Sequence, residues 1–195
     1  PFAVDPGSDF NYNGGLTQVL AAILVRATKM SLQDYARVKL FEPLGITDVE
    51  WVGDLAGMPA AASGLRLRAR DLAKFGSLYL NGGKWNGKQV IPADWVELST
   101  RFRPRTGPDS GGEFGYGYFW WYSCYPTAAG LIEARTAVGN GQQRIFVLPA
   151  LNVVVTMFAG RYNDFTTGNT LGRRILLDHI VPAVKTGVRT GCPGA

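Results

Sequence analysis

The chain is poor in the residues on which metal and histidine chemistry are built. Its 195 residues include one histidine, His179, and two cysteines, Cys124 and Cys192. His179 falls within a helical pattern beside Asp178, where a surface or satisfied imidazole is expected, and a Ser-His-Asp triad is not supported. The cysteines are far apart and match no metal-ligand spacing. They could form one disulfide, as in an exported protein, or remain two thiols. The net charge is +5 but no Lys/Arg-rich block is present, which points to a solvated basic surface and not to a nucleic-acid partner. No apolar stretch is long enough to span a bilayer. No secretory leader is visible and the first residue is Pro1, so the chain is expected to be processed, cropped or partial. That leaves the compartment open, with a periplasmic or secreted location as the expectation.

What is present is ordinary for a globular chain: 46% hydrophobic and 18% charged residues, with 25 Gly, 11 Pro and five Trp. Leu16, Val19, Leu20, Ile23 and Leu24 are spaced for a helix over 15–30 with one apolar, buried face. Ser31 with Asp34 reads as an N-cap and capping-box pair for a helix over 32–41, which Pro43 and Gly45 stop. Residues 48–52 suggest a short strand and 53–64 a loop. Leu72, Phe75, Leu78 and Tyr79 predict an amphipathic helix over 70–80. Trp85-Asn86-Gly87-Lys88 carries a two-residue hairpin signal, and Pro92 opens a helix over 93–100.

Residues 101–112 read as a polar loop. Beyond it the pattern becomes β-rich, with strands expected over 115–122, 132–138, 143–148 and 153–159, a turn at Pro149–Asn152, and a closing helix over 170–184 with Leu171, Ile175, Leu176 and Ile180 inward. The aromatic run containing Tyr116, Tyr118, Trp120, Trp121 and Tyr122 is expected to be mainly core, with an outward half available to a cleft. The fold class is α+β, organised as a helical subdomain over 1–112 and an antiparallel sheet of three or four strands with a closing helix over 113–195.

Two segments carry chemistry. One is Phe10-Asn11-Tyr12-Asn13-Gly14-Gly15, within the pattern Pro-Gly-x-x-Phe-x-Tyr-x-x-Gly. The other is Gly139-Asn140-Gly141-Gln142-Gln143, within Gly-Asn-Gly-x-x-Arg-Ile-Phe-Val-x-Pro-x-x-x-Val-Val-Val. Together with Phe41-Glu42-Pro43-Leu44-Gly45, Ser63-Gly64-Leu65 and Asp71-Leu72-Ala73, they resemble the serine β-lactamase / penicillin-binding-protein superfamily in its esterase-like branch. The resemblance runs from Pro6 to about Val184. The superfamily's nucleophile motif, Ser-x-x-Lys, is absent: serines 8, 31, 63, 77, 99, 110 and 123 are followed three places on by Asn, Asp, Arg, Leu, Phe, Glu and Pro. The resemblance therefore implies a β-lactamase/transpeptidase-like domain lacking its N-terminal strands and nucleophile helix, whose sheet has an open edge and a half-covered face.

By the same resemblance, Tyr12 matches the tyrosine of a Tyr-x-Asn motif. A nearby ammonium favours phenolate, which can take a serine proton as general base. Asn13 and Gly14 would contact substrate, although the third motif position is Gly14 where Asn is common. Asn140, Gly141 and Gln142 would line the substrate strand, and the backbone N–H of Gln143 would supply half of an oxyanion hole. Uncharged Asn140, where Lys or His often stands, favours an esterase or amidase over a β-lactamase. The implied function is a serine hydrolase acting through an acyl-enzyme on a small ester or amide, with the missing N-terminal segment as partner and this piece inactive alone. The acyl-transfer mechanism that the resemblance implies calls for no metal and no cofactor. The alternatives are a non-catalytic ligand-binding homologue and one piece of a two-chain protein. Read without the resemblance, Tyr12 packs at a helix entry and Gly139–Gln143 is a glycine turn or bulge.

Overall fold

In the computed structural model, residues 5, 8–53, 57–103, 113–164, 167–184 and 191–192 are described. The chain forms two compact units, Pro1–Asp71 and Leu72–Ala195. The helices over 72–100 pack on the sheet and fall in the second unit.

In the first unit, α1 (Gly14–Thr28) starts at Asn13, whose side chain accepts from the Gly15 N–H, and ends at Lys29 in the left-handed conformation. Ser31 caps α2 (Leu32–Ala36) as its sequence requires: Ser31 Oγ accepts from the Asp34 N–H at 3.0 Å and donates to Asp34 Oδ2 at 2.7 Å. The helix then widens into a π turn, Arg37–Phe41. Gly45, at φ +62, lets the chain reverse there, and Phe41, Leu44 and Ile46 are buried. The expected strand over 48–52 shrinks to β1 (Glu50–Trp51), paired with β2 (Leu65–Arg66). Gln18 ties α1 to the connecting segment: its amide donates to the Pro59 carbonyl and accepts from the Ala61 N–H.

The expected burial of the α1 apolar face is not what the structure shows. Leu16, Val19, Leu20 and Ile23 are each at least half exposed, and the helix buries only Ala21. Periodicity identified the helix but not its environment, because an apolar stripe records a face to be covered and not what covers it.

The second unit begins within α3 (Ala69–Leu80). The hairpin β3 (Lys84–Trp85) and β4 (Lys88–Gln89) turns on Asn86 and Gly87, both at positive φ as a two-residue primed turn demands. Helix α4 (Ala93–Thr100) follows Pro92. A five-stranded antiparallel sheet then runs in sequence order: β5 (Glu113–Tyr116), β6 (Trp121–Thr127), β7 (Gly130–Gly139), β8 (Gln143–Leu148) and β9 (Val153–Met157).

The single aromatic strand expected over 115–122 is in fact two, broken at 117–120. Gly117 N–H bonds to the Trp120 carbonyl, Tyr118 N–H to the Ser99 carbonyl, and Phe119 takes φ +66. Strand β6 runs on through Pro126, which pairs with Leu131 close to the hairpin end. The residues expected at 101–112 lie mostly outside the described ones.

Alternation along the strands assigns the two faces. Tyr125, Ile132, Ala134, Phe146 and Leu148 form one core with Leu176 of the C-terminal helix. That helix comprises α5 (Thr167–Ile175), a π turn (Leu176–Ile180) and α6 (Val181–Ala183). The opposite face, with Ile145, Val147 and Trp120, is covered by Tyr79, Phe75 and Leu72 of α3 and Val96 of α4. Gly76 allows the close approach, because a Cβ there would lie 2.5 Å from Val154 Cγ1 and 2.8 Å from Ile145 Cγ2. The sheet is thus covered on both faces, and the expectation of a half-covered face is overturned: α3 and α4 lie upstream of the strands and supply the second layer.

Cys124 on β6 and Cys192 form a disulfide, with Cα atoms 6.1 Å apart. The Gly191 N–H donates to the Leu131 carbonyl at 3.0 Å, so the chain end is fastened to the β6–β7 hairpin.

Candidate active site

The two motif segments lie in different units. Tyr12 is 60% exposed and precedes α1. Asn13, a candidate substrate contact, is the cap of α1, with Oδ1 2.8 Å from the Gly15 nitrogen. Gly14 is the first residue of that helix, and a Cβ there would lie 3.5 Å from Ala62 Cβ, an ordinary contact.

The second segment is the turn between β7 and β8, and here the sequence was only half legible. Gly139 pairs with Gln143 across the strands, and the Gln142 N–H donates back to the Gly139 carbonyl at 3.2 Å. Gly141 and Gln142 both have positive φ, +96° and +73°. The turn is tight, as its glycines indicate.

What the motif did not reveal is a brace formed by the segment after β9. The Asn140 side chain donates to Asn163 Oδ1 at 2.9 Å and accepts from the Asn163 N–H at 2.8 Å. The Arg161 N–H donates to the Gly141 carbonyl at 3.3 Å. The Gln143 amide nitrogen donates to the Ala159 carbonyl at 3.0 Å and stands 3.5 Å from the Tyr162 hydroxyl. An Arg161–Asp164 ion pair closes the bracing segment on itself at 2.8 Å. Tyr162 itself is 64% exposed, and its ring lies against Gly141 so closely that a Cβ at Gly141 would sit 2.7–2.8 Å from two ring carbons.

Behind the turn, Arg144 is 1% exposed. Its Nε donates to Gln142 Oε1 at 3.1 Å, its guanidinium carbon lies 5.8 Å from the Phe146 ring centroid, and Gly172 of α5 leaves room for its stem. The arginine therefore holds the Gln142 side chain inward, and both residues are buried. A signal for this existed in the sequence: Arg144 is in phase with Phe146 and Leu148 along the strand, which places it on their side of the sheet. For Tyr162 and Asn163 only a turn-like Asn-Asp pair was visible, and nothing local indicated what it would touch.

One other polar group near the sheet is strongly perturbed. Burial first, then the Glu133 carboxylate, push the Tyr122 phenol well above its usual range; its ring packs edge-on against Phe102 at 5.0 Å. Among the described residues no cluster of three or more His, Cys, Asp or Glu could hold a metal, and no helix is long and apolar enough to cross a membrane.

A mixed helical and antiparallel-sheet domain with these two segments is the architecture of β-lactamases and penicillin-binding proteins. The chain belongs to the Beta-lactamase family, whose model matches residues 1–179. It is similar to a 6-aminohexanoate-dimer hydrolase of Paenarthrobacter ureafaciens, with 33% identity over 90 residues, 46% of this chain and 23% of that protein. Among solved structures it is similar to a candidate 6-aminohexanoate-dimer hydrolase from Bacillus anthracis (26% identity, TM-score 0.72), covering 94% of this chain and 47% of that one. The D-amino acid amidase of Ochrobactrum anthropi SV3 shares the fold at 16% identity and TM-score 0.71, over 91% of this chain and 60% of its own. The chain thus spans less than half the length of the first two relatives.

Proposed function

We propose that this chain is the part of an acyl-transferring serine hydrolase that carries the base and the oxyanion strand, acting on a small-molecule ester or amide. The observation that supports this most is the sequence identity with the Paenarthrobacter dimer hydrolase, within a family match covering nearly the whole chain. A serine outside this chain, in a Ser-x-x-Lys segment of the same protein, attacks the carbonyl carbon. Tyr12 takes its proton, and the C–O or C–N bond breaks as the leaving group is protonated. The Gln143 N–H stabilises the oxyanion, and water then releases the acid. Gly14 gives substrate close access to backbone, Gly141 seats the Tyr162 ring, and Asn13, Asn140 and Gln142 hold the two segments in shape.

In this reading residues 1–112 and 113–195 are parts of one catalytic domain, and the chain alone does not turn over. The Cys124–Cys192 bridge supports an exported location. The test is labelling with a fluorophosphonate probe, on this chain and on the product of its full reading frame. Labelling of the full product alone is expected. Labelling of neither would instead favour a non-catalytic binder, and labelling of this chain would mean that its nucleophile is one of its own seven serines.

A further inference from the structure

We infer that Tyr162 is a specificity-determining wall of the substrate site, selecting substrates whose acyl group carries an extended apolar or aromatic arm. The inference rests on the hydrolase reading above and concerns the same strand. Tyr162 is among the most exposed large side chains of the molecule, at 64%, yet it is not loosely placed. Backbone on both sides of it is bonded to the β7–β8 turn, through Arg161 N–H to the Gly141 carbonyl and Asn163 N–H to Asn140 Oδ1. A third tie, from Gln143 to the Ala159 carbonyl, holds the start of the segment.

One side of the ring rests on Gly141, where only a residue without Cβ leaves space. A rigid aromatic surface is thereby presented to solvent beside the strand against which the carbonyl oxygen would be held. Such a surface is prepaid in conformational entropy and rewards an apolar arm laid along it. A hexanoyl or phenylbutanoyl chain offers such a ring far more apolar surface than the methyl group of an acetyl ester.

The experiment uses the product of the full reading frame and compares kcat/KM for p-nitrophenyl hexanoate and p-nitrophenyl acetate. In the Tyr162→Ala variant the hexanoate-to-acetate ratio should fall about fivefold, below the ~10–200-fold that a closed pocket exerts per methylene, because the wall is open on one side. Tyr162→Phe, which keeps the ring, should restore at least half of the wild-type ratio. A thermal melt checks that both variants fold, as an exposed position allows. The inference is overturned if Tyr162→Ala lowers both esters in equal proportion, or if Tyr162→Phe behaves like Tyr162→Ala. Wild-type protein that hydrolyses neither ester and takes no fluorophosphonate label would overturn the hydrolase reading together with this one, an outcome distinct from an unchanged ratio in an active enzyme.

Discussion

Removing the Cys124–Cys192 bridge should cost the sheet unit a large part of its stability. The bridge closes a loop of 68 residues that contains β7, β8, β9 and the whole C-terminal helix. In the chain-entropy account, a cross-link over about that length removes ~15 cal/mol/K from the unfolded ensemble, or ~4 kcal/mol at 25 °C. The Cα separation of 6.1 Å lies within the usual range, so the native geometry accommodates the link. The appropriate variant is Cys124→Ser/Cys192→Ser, which removes the tether without leaving a reactive thiol. Equilibrium denaturation should show the lower part of the transition shifted by roughly 3–4 kcal/mol, or ~10–15 °C in Tm for a unit of this size. Hydrogen exchange at the Gly191 amide, which the tail holds on the Leu131 carbonyl, should rise with it. A loss below ~1 kcal/mol, with that amide still protected, would refute the reasoning: the tail would be held by packing alone and the loop would not be free in the unfolded chain.

Other expectations are smaller and independent. Gly76→Ala should destabilise by about 1–3 kcal/mol despite the better helix propensity of alanine, because the added methyl meets Val154 and Ile145; chemical denaturation measures it, and a gain in stability would show that α3 shifts freely. Tyr122 has a folded-state pKa raised by burial and Glu133, so its contribution is complete below the ordinary tyrosine value of 10.0 and declines as pH rises past it. Alkaline titration of stability should therefore be flatter above pH 10 in Tyr122→Phe than in the wild type, and identical slopes would count against a buried, protonated phenol. Asn163→Ala, which loses one side-chain bond to Asn140 and strains a residue at φ +59, should cost about 1–2 kcal/mol by denaturation. An unchanged midpoint would mean that the brace carries no energy.

The elements that sequence identified are those whose signal is local. Ser31 with Asp34 makes its cap within four residues, Asn86-Gly87 makes its turn within two, and the strands 143–148 and 153–157 show as short β-branched runs. What it missed depends on distant partners. The split of the aromatic run arises because the Gly117–Trp120 turn docks on the Ser99 carbonyl of α4. The α1 stripe was read as buried because amphipathicity is a property of the helix, whereas burial is a property of its neighbours. At the candidate site, the glycines of the turn were evident. The use of Asn13 as a cap, and the engagement of Asn140 with Asn163 across 23 residues, became visible only when donors and acceptors could be paired.

The open face of α1 has a practical consequence at the bench. Four large aliphatic residues at spacings of three and four, each at least 50% exposed, should offer this chain's folded state a stripe to which apolar dyes bind. Fluorescence assays that report newly exposed apolar surface will start from a high baseline with this chain and understate its melting. Circular dichroism and low protein concentration are the suitable choices, and a charged substitution at Leu20 should lower that background.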